Sequence, residues 1–193
     1  KFTGVIMQKN LNGKKVAILV ENGFEQEELT KPREALIQSG AEALIISPVE
    51  GKVRGWNHTE WGEEFPVDIP LSQANSGDFD ALLLPGGVMN PDRLRMNTAA
   101  VAFVKEFFDA NKPVASICHG PWTLIDAGVI NGRTVTSWPS IREDLKNAGA
   151  RWIDSEVVVD NGLVTSRKPA DIPAFNEKMI EEFSEGIHER KTA

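Results

Sequence analysis

PVASICHGP, Pro113–Pro121, is the stretch on which the fold turns: an apolar run ends at Cys118, and His119, Gly120 and Pro121 lead at once into the apolar TLIDAGV. A run without period-2 polarity reads as a central strand covered on both faces. Gly-Pro then forces a sharp passage from strand into helix. Three other unalternating runs read the same way: KKVAILV (14–20), ALIIS (43–47) and DALLLP (80–85). Helical patterns fill the gaps. Gln26–Ser39 reads as a helix stopped by Gly40, with Leu29, Leu36 and Ile37 on one face and Pro32 near its first turn. Asn97–Ala110 is the clearest helix, with Val101, Val104 and Phe108 at i, i+3 and i+7 and Asn97 or Thr98 as cap. Strand and helix in repeated alternation predict an α/β protein with a parallel sheet flanked by helices.

Outside that core the readings are local. Residues 49–76 hold Gly51, Gly55, Trp56, Trp61, Gly62, Pro66 and Pro70, which suits short edge strands and turns and suggests decoration rather than chemistry. EVVVDNGLVTS (156–166) is two apolar strands around Asn161-Gly162, the dipeptide of type I′ hairpins. Asp171 is expected to cap a last helix running to about Gly186, with Pro173 in its first turn. One domain over 14–186, with tails at 1–13 and 187–193, accounts for the chain.

The 193 residues carry 21 Lys and Arg against 28 Asp and Glu, a net charge of −7 that disfavours nucleic-acid or anionic-membrane partners. The longest apolar run is Ala99–Val104, far short of the roughly 20 residues of a membrane span. No signal-peptide core is visible in residues 1–13. A single cysteine excludes an intrachain disulfide, and with three histidines it argues against a structural metal. The expected compartment is the reducing cytoplasm.

Chemistry concentrates at the elbow. A cysteine on a tight turn above the carboxyl edge of a sheet is placed as a nucleophile, and a helix amino terminus beside it would lower its pKa. A buried cysteine acting as a small hydrophobe is the commoner fate, but the strand–Cys–His–Gly–Pro–helix context favours the reactive one. His119 is a natural base, although adjacent residues in regular structure do not face each other, so only a distorted elbow lets it serve Cys118. Glu25, Glu27 and Glu28 follow the first strand; as first-turn charges they favour the helix, and one of them could point across to the thiol. LLLPGG (82–87) ends a buried strand in Gly86 and Gly87, whose bare N–H groups suit an oxyanion hole together with the amide of His119.

Taken together, AILVENGFEQEEL (17–29), FDALLLPGG (79–87), KPVASICHGP (112–121), NAGARW (147–152) and EVVVDNGLVTSRKPADIP (156–173) resemble the ThiJ/PfpI superfamily, in its PfpI branch of intracellular cysteine proteases and protein deglycases. The resemblance implies a flavodoxin-like, doubly wound α/β sandwich with a mostly parallel central sheet and helices on both faces. It also implies a homodimer or larger ring and neither metal nor organic cofactor. Cys118 matches the family nucleophile, His119 its adjacent histidine, and Glu28 the carboxyl group hydrogen-bonded to the sulfur, with Glu25 the lesser candidate. Where protease members carry a glutamate that reaches the histidine from a neighbouring subunit, this chain has Asp92, whose arm is shorter. Trp122 and Trp138 replace residues that are polar or tyrosine in other members, implying a bulkier, drier mouth to the pocket.

The reading that follows is a cysteine hydrolase in stress defence, acting on glycated amines or thiols, small dicarbonyls or peptides, with the short Asp92 favouring damage repair over proteolysis. The alternative is a non-catalytic redox-sensing stress protein or chaperone that oxidises Cys118. A glutamine amidotransferase shares the cysteine elbow but has Gly two residues before the cysteine and a His-x-Glu pair; here Ser116 precedes, and Glu189 directly follows His188.

Overall fold

The computed structural model describes residues 10–187. In chain order it has β1 (Lys15–Leu19), β2 (Phe24–Glu25), α1 (Gln26–Gln38), β3 (Glu42–Ser47), β4 (Lys52–Asn57), β5 (Glu60–Pro66), β6 (Ile69–Pro70) and β7 (Ala81–Leu84). There follow α2 (Met89–Leu94), α3 (Thr98–Asp109), β8 (Val114–Ile117), α4 (Trp122–Asp126), β9 (Thr134–Val135) and α5 (Arg142–Asn147). Last come β10 (Arg151–Trp152), β11 (Val158–Asp160), β12 (Leu163–Ser166) and α6 (Ile172–Glu185). Seven strands form the central sheet in the order β11-β12-β8-β7-β1-β3-β6. Every pairing is parallel except that of β11 with β12. The inner run β3-β1-β7-β8-β12 follows the order of a flavodoxin-like sheet, in which ligands bind at the carboxyl ends where the order reverses.

The unalternating runs have a simple cause. Successive side chains leave a strand on opposite faces, and here both faces are core. Ala17, Leu19, Leu82, Leu84 and Val114 enter one apolar cluster with Phe103 and Phe107 of α3. Val16, Ile18, Leu83, Ala115 and Ile117 enter the other, with Leu29 of α1 and Phe175 and Phe183 of α6. Each face therefore needs apolar residues at every second position, and the two sets interleave into one continuous run. Truncating a fully buried ring such as Phe107 or Phe175 costs about 3–5 kcal/mol.

Several local expectations are corrected. Pro32 lies inside α1, not in its first turn, where it has no N–H to offer the Glu28 carbonyl. Ile37 is 52% exposed, so the buried stripe of α1 consists of Leu29, Pro32 and Leu36 together with Glu28. Asp171 stands at the N-cap of α6, but its carboxylate turns to Arg167, accepting from Nε at 2.9 Å and Nη2 at 3.0 Å. Leu11, assigned to the tail, is fully buried in the core, and its N–H donates to the Ser39 carbonyl. Residues 1–9 and 188–193, His188 among them, lie outside the described residues. The hairpin turn is as expected, with Asn161 and Gly162 at φ of 49° and 81°. Among the described residues no helix is long and apolar enough to cross a membrane.

Candidate active site

Three strand ends meet at the carboxyl edge: β1 leads through β2 into α1 and Glu28, β7 into Pro85-Gly86-Gly87, and β8 into Cys118. Parallel pairing of β7 with both β1 and β8 puts the Gly-Gly turn between the other two. Cys118 adopts φ of 62°, the left-handed region that a non-glycine residue enters at a cost of roughly 1–2 kcal/mol. Its N–H donates to the Ser166 carbonyl at 3.0 Å and its carbonyl accepts from Trp138 N–H at 3.0 Å, bonds that hold the strained residue in place. The distortion defeats the usual separation of neighbours: Cys118 Sγ lies 3.3 Å from His119 Nδ1.

Glu28 is wholly buried. Its Oε1 accepts from Gly86 N–H at 3.0 Å, while Oε2 has no partner at hydrogen-bond geometry and the carboxyl faces the thiol. Burial holds its pKa well above the ordinary carboxylate value, the negative Glu25 adds to the rise, and the Gly86 N–H opposes it. A side chain at Gly86 has no room, since a Cβ there would stand 2.6 Å from Glu28 Oε1 and 2.7 Å from both Cys118 Cβ and the Ile117 carbonyl. Gly87 adopts φ of 74°, and a Cβ there would press equally close on the Gly23 carbonyl.

The sulfur does not sit on a helix amino terminus as the sequence suggests. α4 begins only at Trp122, and the N–H groups of Gly120, Trp122 and Thr123 are already bonded to the Ile117, His119 and Gly120 carbonyls. Burial and the charge of Glu28 push the thiol pKa up, and the N–H groups of Gly87 and His119 pull it down. Burial is the largest influence on both members of the pair and opposes the charge of each, carboxylate and thiolate alike. His119 is lowered by burial alone and is therefore a neutral imidazole at pH 7.

The oxyanion expectation changes in one respect. Gly86 N–H is committed to Glu28, which leaves Gly87 and His119 as the donors beside the sulfur. Glu25 is turned away: its Oε1 accepts from His58 N–H at 3.1 Å, and burial raises its pKa. Contrary to its reading as decoration, the 49–76 segment thus holds a candidate carboxylate, through the β4–β5 hairpin paired to β2. Asp92 is exposed on α2 and makes no hydrogen bond or ion pair to His119 among the described residues. Trp122 meets the His119 ring edge-on at 5.1 Å, with its indole N–H bonded to Asp144 Oδ2 at 2.9 Å. Trp138, 38% exposed, lies nearly parallel to the imidazole at 6.2 Å, so the mouth is aromatic on two sides.

Two contributors escape a reading of the sequence. Asn90, fully buried, accepts from Glu21 N–H at 2.7 Å and donates to the Pro85 and Gly86 carbonyls at 3.0 Å each, pinning the Gly-Gly turn to the end of β1. Ser140 Oγ lies 3.4 Å from His119 Nε2. Only the position of Asn90, four residues past Gly86, offered a signal.

The DJ-1/PfpI family pattern matches residues 14–182. A Thermococcus kodakarensis protein named as a deglycase is 46% identical over 166 residues, covering 86% of this chain and 97% of its own. General stress protein 18 of Bacillus subtilis is 46% identical over 170 residues, covering 87% and 96%. The crystal structure of Drosophila melanogaster DJ-1beta superposes with a TM-score of 0.80 at 25% identity, over 89% of this chain and 90% of that one.

Proposed function

This chain belongs to the DJ-1/PfpI family, and from that premise we propose that it is a cysteine-dependent hydrolase of stress defence that strips 2-oxoaldehyde adducts from amines and thiols of other molecules. The observation that carries the reading is the 3.3 Å approach of Cys118 Sγ to His119 Nδ1 on a left-handed residue, beside the buried Glu28 carboxyl group.

The residues divide the work by their proton states. Neutral His119 takes the thiol proton on Nδ1, and the N–H groups of Gly87 and His119 stabilise the sulfur anion. The sulfur displaces the amine from the aldehyde-level carbon of the adduct: the C–S bond forms, the C–N bond breaks, and His119 gives its proton to the departing amine, leaving a hemithioacetal. His119, neutral again, takes the hydrogen of that carbon as a proton and delivers it to the neighbouring ketone carbon, while Glu28 gives its proton to the ketone oxygen and takes one back from the hemithioacetal hydroxyl, leaving a thioester of a 2-hydroxy acid. One water cleaves the C–S bond, releasing the 2-hydroxy acid and restoring the Cys118 thiol. The aldehyde-level carbon is oxidised and its ketone neighbour reduced within one molecule, so no external oxidant is consumed. A homodimer in the cytoplasm, with Asp92 of one copy offered to the other, belongs to the same proposal.

The test pairs Cys118 alkylation across pH with turnover of a methylglyoxal-modified amine, free methylglyoxal and a peptide, each beside Cys118→Ala. Amine release lost in the alanine variant supports the deglycase. Peptide cleavage alone moves the assignment to a protease, and a reactive thiol with no turnover moves it to a redox sensor.

A further inference from the structure

Away from the thiol, three metal-ligating side chains converge: Glu25, Glu27 and His58, whose ligand atoms lie within 4.8 Å of one another. They come from separate elements that the strand pairing brings together. Glu25 ends β2, Glu27 stands in the first turn of α1, and His58 occupies the turn between β4 and β5. β2 runs parallel to β4 with Glu25 opposite Trp56, so the turn that follows β4 arrives beside the start of α1. The backbone of His58 is held on both sides. Its N–H donates to Glu25 Oε1 at 3.1 Å, and its carbonyl accepts from the Trp56 indole N–H at 2.9 Å. The ring straddles the two carboxylates, with Nδ1 3.5 Å from Glu25 Oε1 and Nε2 3.2 Å from Glu27 Oε1.

The charges in this cluster do not balance. The Glu25 side chain keeps only 14% of its exposure, and His58 is the one basic side chain that pairs with it among the described residues. Lys31 binds Glu27 through Oε2 at 2.7 Å, which leaves Oε1 turned to the ring. A neutral imidazole supplies no full positive charge to two carboxylates drawn partly out of water, whereas such charges are ordinarily paired or coordinate a metal.

We propose that Glu25, Glu27 and His58 form a binding site for a divalent transition-metal ion of zinc type, which clips the first turn of α1 to the β4–β5 turn. An imidazole nitrogen with two carboxylate oxygens suits zinc and its neighbours, while magnesium and calcium prefer oxygen ligands throughout. Metal–ligand bonds of about 2.0–2.2 Å around a tetrahedral zinc put ligand atoms roughly 3.4 Å apart. The ring already keeps 3.2 and 3.5 Å from the two carboxylates. One of its nitrogens enters the coordination sphere by a tilt of the exposed ring, and water takes the fourth position. The ion has no part in the cysteine reaction, because Glu25 turns to His58 and Glu28 to Gly86.

The test is zinc binding to the full chain near neutral pH, with Cys118→Ala throughout so that the thiol does not compete. Calorimetric titration with Zn²⁺ should show one ion per chain, and an equal concentration of Mg²⁺ or Ca²⁺ should not displace it. His58→Ala and Glu27→Gln should each weaken binding by at least the ~10-fold that loss of an outer-shell partner costs a metal site. Zn²⁺ should raise the Tm of the parent and leave that of His58→Ala unmoved. Ring-nitrogen NMR should show the His58 signals shifted by the metal. His58 is exposed, so its replacement leaves the core intact. Zinc bound equally well by His58→Ala, or metal-dependent shifts at His119 alone, overturns the proposal. So does the absence of uptake, which would make the three side chains an ion pair only. Binding is read without substrate, so this outcome is independent of the turnover that tests the proposed reaction.

Discussion

The Gly86 backbone N–H donates to Glu28 Oε1 at 3.0 Å, joining two residues 58 positions apart, and is the one hydrogen bond that geometry gives this wholly buried carboxyl group. A donor on one oxygen and an unpartnered second oxygen facing a thiol describe a carboxylic acid more than a carboxylate.

Glu28→Gln tests that description. The amide keeps an acceptor for Gly86 but has no transferable proton, so activity should fall about 10²-fold. Stability should respond in the opposite sense at high pH. A carboxyl whose folded pKa is raised stabilises the protein fully below its unfolded value, near 4.5, and loses that stability as pH rises through the folded value. Urea midpoints measured from pH 4 to 9 should therefore decline for the wild type and run flatter for Glu28→Gln.

Gly86→Ala should damage both stability and site. The new Cβ would meet Glu28 Oε1, Cys118 Cβ and the Ile117 carbonyl at 2.6–2.7 Å, and a carbonyl cannot swing aside as a flexible side chain does. A loss of about 1–3 kcal/mol in urea denaturation is expected, with slower alkylation of Cys118.

At position 118 the ordinary ranking of glycine and alanine should invert. Left-handed backbone at φ of 62° favours glycine, so Cys118→Gly should unfold at higher urea than Cys118→Ala, by about 1 kcal/mol, with both variants inactive. Equal midpoints would show that the elbow relaxes once the side chain is shortened.

Asn90→Ala removes a buried side chain that satisfies three backbone groups. Leaving them unpaired should cost about 2–4 kcal/mol. Asn90→Asp should do no better, because a carboxylate cannot donate to the Pro85 and Gly86 carbonyls. Denaturation midpoints of the two variants check this.

Much of the molecule was determined by its sequence alone, because the relevant physics is local. KKVAILV and DALLLP lack polar alternation since each strand serves two cores, and that pattern is visible without knowing which helices cover it. The elbow at Cys118 is equally local: a strand followed at once by His-Gly-Pro leaves the backbone few ways to turn. What stayed open depended on where separate segments arrive. Near the start of α1, successive side chains point about 100° apart, at 3.6 residues per turn. Glu25, Glu27 and Glu28 therefore face different directions, and only the docking of α1 against the ends of β7 and β8 turned Glu28 to the thiol and left Glu25 to His58. The same holds for the N–H of Gly86, spent on a carboxyl 58 residues away, and for Ser140, delivered to His119 by a loop whose anchors lie on β12 and the elbow. Sequence spacing records local turns; hydrogen-bond partners across 20 to 60 residues are set by strand order, and only the tertiary structure decided those.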